Sequence, residues 1–371
     1  MRGRRDRIIA VVMLLPSLIL LAVFVYGFIG WTGYTSMTDS NAMQQLSGQS
    51  ANFVGTRNYS QLFTGTLPVS ARFRTDMVNT VFFTMLFIAV CLGVGMLLAI
   101  LLDQQIRGEA FFRTVFLFPM ALSFVVTGVV WKWLFNPQAG INALPPMLGL
   151  PKPEFQWFIS QEQWLQFNWQ NVFQILLIII LGVVFIVAGY RWLKNRSPYM
   201  AGLAGLALLL NGLLTLTGAE FLLTQPAEPK GFNVALLALV IAAGWQMSGY
   251  TMAMYLAGLR GISEEIREAA RVDGASELGV YRYVVLPLLA PITLSAIIIL
   301  GHISLKIFDL VYVMGGGDNL FIDMPGINMF FITFRGQEFG VGAAIAMIML
   351  IMVAIVIVPY LATQLRGGSE S

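Results

Sequence analysis

Residues 258–291 read GLRGISEEIREAARVDGASELGVYRYVVLPLLAP, and nine of them carry charge in a chain whose charged fraction is only 11%. An apolar run, 231–259, precedes this segment, and another begins at Val284. Each is long enough to cross a bilayer core of about 30 Å as a helix. A charged segment held between two such runs is a loop at a membrane surface. Ser263 is placed to N-cap a helix opened by Glu264 and Glu265, whose charges suit the positive end of a helix dipole. Ile262, Ile266, Ala269, Ala270 and Val272 are expected to form its apolar side. Gly274 permits a turn or a close backbone approach. A second short amphipathic helix over 275–283 then leads to Pro287, where the next span opens.

The rest of the chain extends this reading. Of its 371 residues, 57% are hydrophobic, against roughly 45–50% apolar and about 25% charged in soluble proteins. So few charges cannot cover a water-facing surface, which excludes a soluble globular fold and a disordered chain. The net charge of +3 comes from small dispersed groups of Lys and Arg, so no nucleic-acid-binding patch is expected. Cys91, the single cysteine, lies in Ala-Val-Cys-Leu-Gly and reads as an inert buried thiol; no intrachain disulfide follows from one cysteine. His302 is the single histidine, and no metal site is expected. The fold class is an all-α integral membrane protein.

Charge-free stretches predict about eight transmembrane helices. The first occupies 1–36 and is read as a retained helix, because no small-residue cleavage pattern follows it closely. An outer loop, 37–77, precedes helices 2–3 over 78–135, with the third between Arg113 and Lys132. A second outer loop spans 136–170. A hairpin of helices 4–5 covers 171–223, and helices 6–8 lie in 231–365, with the charged loop 261–283 between the sixth and seventh. The orientation follows from Lys and Arg. With the N-terminus inside, the inner segments hold Arg2, Arg4, Arg5, Arg7, Arg107, Arg113, Arg191, Lys194, Arg196, Arg260, Arg267, Arg271, Arg282 and Arg366. The outer ones hold only Arg57, Arg72, Arg74, Lys152, Lys230 and Arg335. This predicts a multi-pass protein of the cell (inner) membrane with both termini cytoplasmic. Trp31, Trp131, Trp133, Trp164 and Trp169 then fall at outer boundaries, as an interfacial belt requires.

Glu268-Ala269-Ala270, three residues, Gly274, nine residues, Val284, one residue and Leu286-Pro287 closely resembles the EAA loop of binding-protein-dependent ABC importer permeases, with Val284 in place of Ile. Other stretches resemble the sugar branch of that family, which includes the larger maltose permease and the glycerol-phosphate permease. They are Phe53-Val54-Gly55 with Asn58-Tyr59 and Leu62-Phe63; Asn79-Thr80; Trp131-Lys132-Trp133-Leu134-Phe135-Asn136-Pro137 with Gly140 and Asn142; and Phe308-Asp309, Tyr312 and Gly315-Gly316-Gly317. The chain departs from the pattern at Asp318, where the family usually has Pro, and in the extra hairpin 171–223.

The resemblance implies an ABC type I importer permease fold and a non-catalytic membrane subunit, not an enzyme. The EAA loop would seat in a cleft of a cytoplasmic ATPase, with Glu268 meeting a basic group, Ala269, Ala270 and Asp273 beside it, and Gly274 allowing close seating. No Gly-Lys pair occurs in the chain, so it has no phosphate-binding loop of the Walker type. No cofactor is expected on this chain; ATP and Mg would be bound by the partner. The implied assembly has a second permease subunit in a heterodimer, two ATPase subunits and an extracytoplasmic sugar-binding protein, all within membrane lipid. The substrate would be a di- or oligosaccharide or glycoside.

Intramembrane ionisable groups are costly and mark candidate pathways. His302, Lys306 and Asp309 follow i, i+4, i+7 spacing and are expected on one helical face. Alignment to the resembled family places His302, Lys306 and Tyr250 on the substrate path, and Gln246 in the same span as Tyr250 is a further candidate. Asp309 is read as structural. Two other functions compete. A membrane-embedded transferase would need clustered acidic or histidine chemistry, which is absent from the sequence. A secondary transporter usually shows inverted repeats and broken helices, and neither is legible. Both would leave the EAA-like spacing unexplained.

Overall fold

In a computed structural model, the structure describes residues 2–66, 68–104, 106–195, 198–217, 228–317 and 319–367. Asp318, Glu220 and the end of the predicted fifth span therefore lie outside the described residues. Among the described residues five helices are long and apolar enough to cross a membrane: Val11–Thr35, Pro68–Asp103, Leu176–Lys194, Leu236–Gly261 and Phe339–Pro359. Two further apolar helix pairs reach that length only when taken together, and both are bent: Glu109–Ala121 with Phe124–Leu134 at 100°, and Glu277–Leu288 with Ala290–Leu305 at 63°. The helix Pro198–Thr217 pairs with Val172–Asn195 in the hairpin.

The bends correct the expectation of unbroken spans, and with it the argument that set a secondary transporter aside on that ground. Their causes are local. Pro119 sits in a short tight helix, Phe118–Ala121, before an extended Leu122 and a new start capped by Ser123, whose Oγ accepts from the Val126 N–H at 3.3 Å. Pro287 and Pro291 flank the second break, and each removes a donor that a continuous helix needs.

The second span starts at Pro68, ten residues before the predicted boundary. Its 36 residues run about 54 Å at 1.5 Å per residue. Its early polar residues do not disfavour the helix, because they are buried against partners. Asn328 Nδ2 donates to Asp76 at 2.7 Å, Asn79 Nδ2 donates to the Asp323 carbonyl at 2.9 Å, and Asn233 Nδ2 donates to Asn79 at 2.6 Å. Deeper in the membrane Thr251 donates to the Cys91 carbonyl at 2.6 Å, and a Cβ on Gly95 would strike the Thr251 side chain, so the second and sixth spans pass very closely. Cys91 is fully buried at this crossing.

The segments expected on the outside fold into small caps. Asn58 Nδ2 donates to the carbonyls of Ser36 (2.9 Å) and Thr38 (2.8 Å), and the Tyr59 hydroxyl bonds the Ser36 hydroxyl at 2.6 Å, which gives the Asn-Tyr pair of the sequence its purpose. The Asp39 carboxylate accepts from the Asn52 side chain, the Gln44 side chain and the Asn52 N–H, and these bonds hold its pKa below the usual carboxylate value. Asn142 accepts from Trp157 Nε1 at 3.0 Å and donates to the Phe155 carbonyl at 2.8 Å, closing the turn after Asn136-Pro137.

The chain divides into two compact units. One comprises 1–59, 75–162 and 233–371, and the other comprises Ser60–Arg74 with Gln163–Phe232. The smaller unit holds the hairpin, and a two-stranded ladder of Gln163–Asn168 with Pro229–Asn233, whose last residue falls outside that unit, departs from an all-α reading. Within it Arg74 is fully buried. Its guanidinium donates to the Gly65 carbonyl at 2.8 Å, the Phe63 carbonyl at 3.2 Å and the Glu228 carboxylate at 2.9 Å.

Candidate functional site

The charged loop forms two short helices, Glu264–Val272 and Glu277–Val280, the second running on through Tyr281–Val285. Ser263 has the extended backbone of an N-cap, but its side chain makes no capping bond, contrary to expectation. Ser276 does cap, its Oγ accepting from the Gly279 N–H at 3.2 Å. The first helix ends in a Schellman motif: the Ala275 N–H reaches the Ala270 carbonyl and the Gly274 N–H reaches the Arg271 carbonyl, each at 3.0 Å. Gly274 carries φ +86°, the left-handed conformation this motif requires. A Cβ there would meet nothing within 4 Å inside the chain. Asp273 is the helix C-cap residue.

The loop is anchored by ion pairs that sequence spacing did not reveal. Arg267 meets Asp103 at 2.8 Å, with the two side chains only 12% and 9% exposed, and also donates to the Leu259 carbonyl at 2.7 Å. Just before the loop, at the end of Leu236–Gly261, Arg260 meets Glu109 at 2.6 Å. Arg271 links Glu277 (2.8 Å) and Glu264 (2.9 Å) across the two short helices, and these bonds, Glu277 first, raise its pKa further. A polar cleft of about 300 Å³ lies among these groups, bounded by Asp103, Arg267, Arg271, Glu277 and Tyr281.

The apolar residues of the loop divide between two faces, not the single one expected. Ile262, Ala270 and Ala275 pack onto a core of Leu102, Leu256, Leu259, Val280 and Val285. Ile266, Val272 and Leu278 point outward at 46%, 87% and 77% exposure. Glu265, Glu268, Ala269 and Asp273 are exposed as well. Among the described residues no ion pair involves Glu268.

The substrate-path candidates fall on two spans. Gln246 and Tyr250 lie on Leu236–Gly261, and His302 lies on Ala290–Leu305. Lys306 is the C-cap of that helix, with φ −117°, and a new helix, Asp309–Gly315, starts after an irregular Phe308. His302, Lys306 and Asp309 therefore do not share one continuous helical face. The chain turns at Lys306–Phe308, and Phe308 instead stacks on Tyr312 with ring centroids 5.5 Å apart. Among the described residues no ion pair joins Lys306 to Asp309, and no hydrogen bond joins any two of Tyr250, Gln246, His302 and Lys306. Gln246 is 3% exposed and donates to the Leu122 carbonyl at 2.7 Å.

Among the described residues, several buried polar atoms on or near these spans lack a hydrogen-bond partner: Gln246 Oε1, His302 Nδ1, Thr127 Oγ1 and Trp131 Nε1. Thr127 and Trp131 are i, i+4 on Phe124–Leu134, a helix packed against Leu236–Gly261. Trp131 meets Trp245 edge to face at 5.8 Å. Buried polar atoms are ordinarily satisfied, so these four stand out. Sequence reading missed Thr127, a lone hydroxyl in an apolar run.

Comparison with known proteins gives these features a context. Residues 198–367 match the family described as binding-protein-dependent transport system inner membrane component. A "probable ABC transporter permease protein" of Pyrococcus horikoshii is 34% identical over 99% of both chains. The xylose/arabinose import permease protein XacH of Haloferax volcanii is 30% identical over 94% of this chain and 86% of its own. The fold is shared with a crystal structure of a bacterial alginate ABC transporter in complex with alginate pentasaccharide-bound periplasmic protein. That match has a TM-score of 0.60 at 15% identity, over 95% of this chain and 93% of the other. By full-length identity and by fold, this chain belongs to the permeases of binding-protein-dependent ABC importers, multi-pass membrane subunits that transport and do not catalyse.

Proposed function

We propose that the chain forms half of the translocation path of an ATP-driven sugar importer and that loop 261–283 is its contact with a separate ATPase. The observation that carries this reading is the outward face of the two short helices. Ile266, Val272 and Leu278 are exposed beside Glu265 and Glu268, on a loop whose other side is tied to the second span by Arg267. An apolar patch rimmed by charge marks a protein interface. A displacement imposed on it passes to Asp103 through an ion pair rather than through a slack linker. ATP and Mg belong to the ATPase; the remaining partners are a second permease, in a heterodimer, and an extracytoplasmic binding protein. The test is reconstitution with the partner ATPase and measurement of transport alongside substrate-stimulated ATP hydrolysis. A complex that assembles and hydrolyses ATP normally without loop 261–283 would overturn the assignment.

The substrate is proposed as a sugar, in line with the name of the relative XacH. Tyr250, Gln246, His302 and Lys306 are the proposed path residues, and Thr127 and Trp131 join them because their buried polar atoms await partners. Sugar hydroxyls both donate and accept. One lost hydrogen bond typically costs about 0.5–1.5 kcal/mol, and more where a charge takes part. His302→Leu, Lys306→Met and Thr127→Val are expected to depress sugar uptake several-fold while complex yield and basal ATP hydrolysis persist. If all three take up every sugar of a xylose, arabinose and maltose panel at the unmutated rate, the path lies elsewhere.

The topology is proposed as eight spans with both termini inside. In a Cys91→Ala background, a membrane-impermeant thiol reagent applied from outside is expected to label Leu148→Cys and not Leu278→Cys, positions 78% and 77% exposed. The reverse pattern would invert the chain.

A further inference from the structure

The hairpin 171–223 has no part in the proposed path or coupling loop, yet its first helix ends in an unusual surface. Tyr190-Arg191-Trp192-Leu193-Lys194 closes Val172–Asn195, and all five side chains are exposed. Ile186, Val187, Tyr190, Arg191 and Lys194 line an open groove of about 420 Å³. Val187, Arg191 and Lys194 follow i, i+4, i+7, and Ile186 and Tyr190 flank them at i, i+4, so one end of the groove is hydrocarbon and the other carries two cations. Ile186 and Tyr190 are 67% and 65% exposed.

We propose that this groove binds one anionic phospholipid, with its phosphodiester on Arg191 and Lys194 and an acyl chain along Ile186 and Val187. The guanidinium fork matches two phosphate oxygens, the ammonium adds a point charge, and the Tyr190 hydroxyl donates at headgroup depth. The apolar end selects a lipid over a free anion, because soluble phosphate would leave Ile186 and Val187 uncovered. A zwitterionic headgroup would bring its own ammonium against two cations, so the net negative lipid is favoured. The inference needs only that this helix lies in a bilayer and does not depend on the substrate.

The test is native mass spectrometry of the full chain in detergent micelles, titrated with phosphatidylglycerol or phosphatidylcholine. The unmodified chain is expected to retain one phosphatidylglycerol with a preference on the order of tenfold, falling with salt. Arg191→Gln with Lys194→Gln should erase the preference, and Arg191→Lys with Lys194→Arg should keep most of it. Val187→Trp, which keeps both cations but fills the groove, should lower occupancy by either lipid. Equal binding of the two lipids by the unmodified chain, a preference that survives the double Gln variant, or full displacement of the lipid by millimolar inorganic phosphate would each overturn the proposal.

Discussion

Gly274→Asp is expected to abolish uptake while the chain still inserts and holds its fold. Position 274 needs a left-handed residue, at φ +86°, and Asp and Asn tolerate that conformation better than other side chains. Nothing within 4 Å inside the chain opposes a Cβ there. The lesion therefore falls on the exposed face of the loop, where a carboxylate would be buried without a partner in the proposed ATPase contact. Leaving a charge unpaired in an interface costs about 2–5 kcal/mol, which is roughly 30-fold or more in association. Gly274→Asn keeps the backbone and omits the charge, so it should retain clearly more transport than Gly274→Asp. Gly274→Ala keeps neutrality and strains the backbone, and should weaken the loop itself. Transport, ATPase retention and protease resistance of the loop, measured together, separate these cases. Equal transport by the Asp variant and the unmutated complex would remove loop 261–283 from the coupling role.

Arg74→Met carries the second large effect, on stability and not on coupling. Arg74 is fully enclosed and supplies donors to two carbonyls and to Glu228. Breaking a buried pair costs about 3–5 kcal/mol, and the 23% exposure of Glu228 lets water recover part of it. A loss of about 2–4 kcal/mol is therefore expected, read as early thermal unfolding and as protease cutting within 163–232. The same pair sets a pH dependence. Burial alone would raise the Glu228 carboxyl, but Arg74 and then Lys230 more than offset this and hold it below its ordinary value. A carboxylate with a lowered folded pKa stabilises above its unfolded pKa of about 4.3, and that stability is lost as pH falls through the folded value. The unmutated chain should therefore lose stability on acidification below about pH 4, and Glu228→Gln should flatten that slope. An unchanged slope in the Gln variant would assign it to another carboxylate.

The sequence revealed an all-α membrane chain and its charged loop for a physical reason: hydrocarbon tolerates neither charge nor unpaired backbone, so a crossing leaves a long apolar signature. Where that signature is diluted, the reading failed. Arg72, Arg74 and Asp76 suggested a loop, yet they lie in a helix from Pro68, because Asp76 meets Asn328 and Arg74 meets Glu228 far along the chain. The link between Arg267 and Asp103 was equally invisible, since helical spacing relates only neighbours three or four apart. His302, Lys306 and Asp309 show the converse error. Their spacing was sound, but it assumed a helix that stops at Leu305. The spacing of Glu268-Ala269-Ala270 with Gly274 was legible because it belongs to one local motif, a helix with its Schellman end.

The second span has a mechanical consequence. From Asp76 to Asp103 it is one unbroken rod of about 40 Å. Asp103 at one end grips Arg267 of the charged loop, and Asp76 and Asn79 at the other are bonded to Asn328 and to the Asp323 carbonyl. In the proposed coupling role, a rod held at both ends would carry a push on the charged loop along its length, and the neighbouring helices, bent near Leu122 and Leu289, would take up the same push as a change of angle. A lever and its hinges divide a single motion in this way.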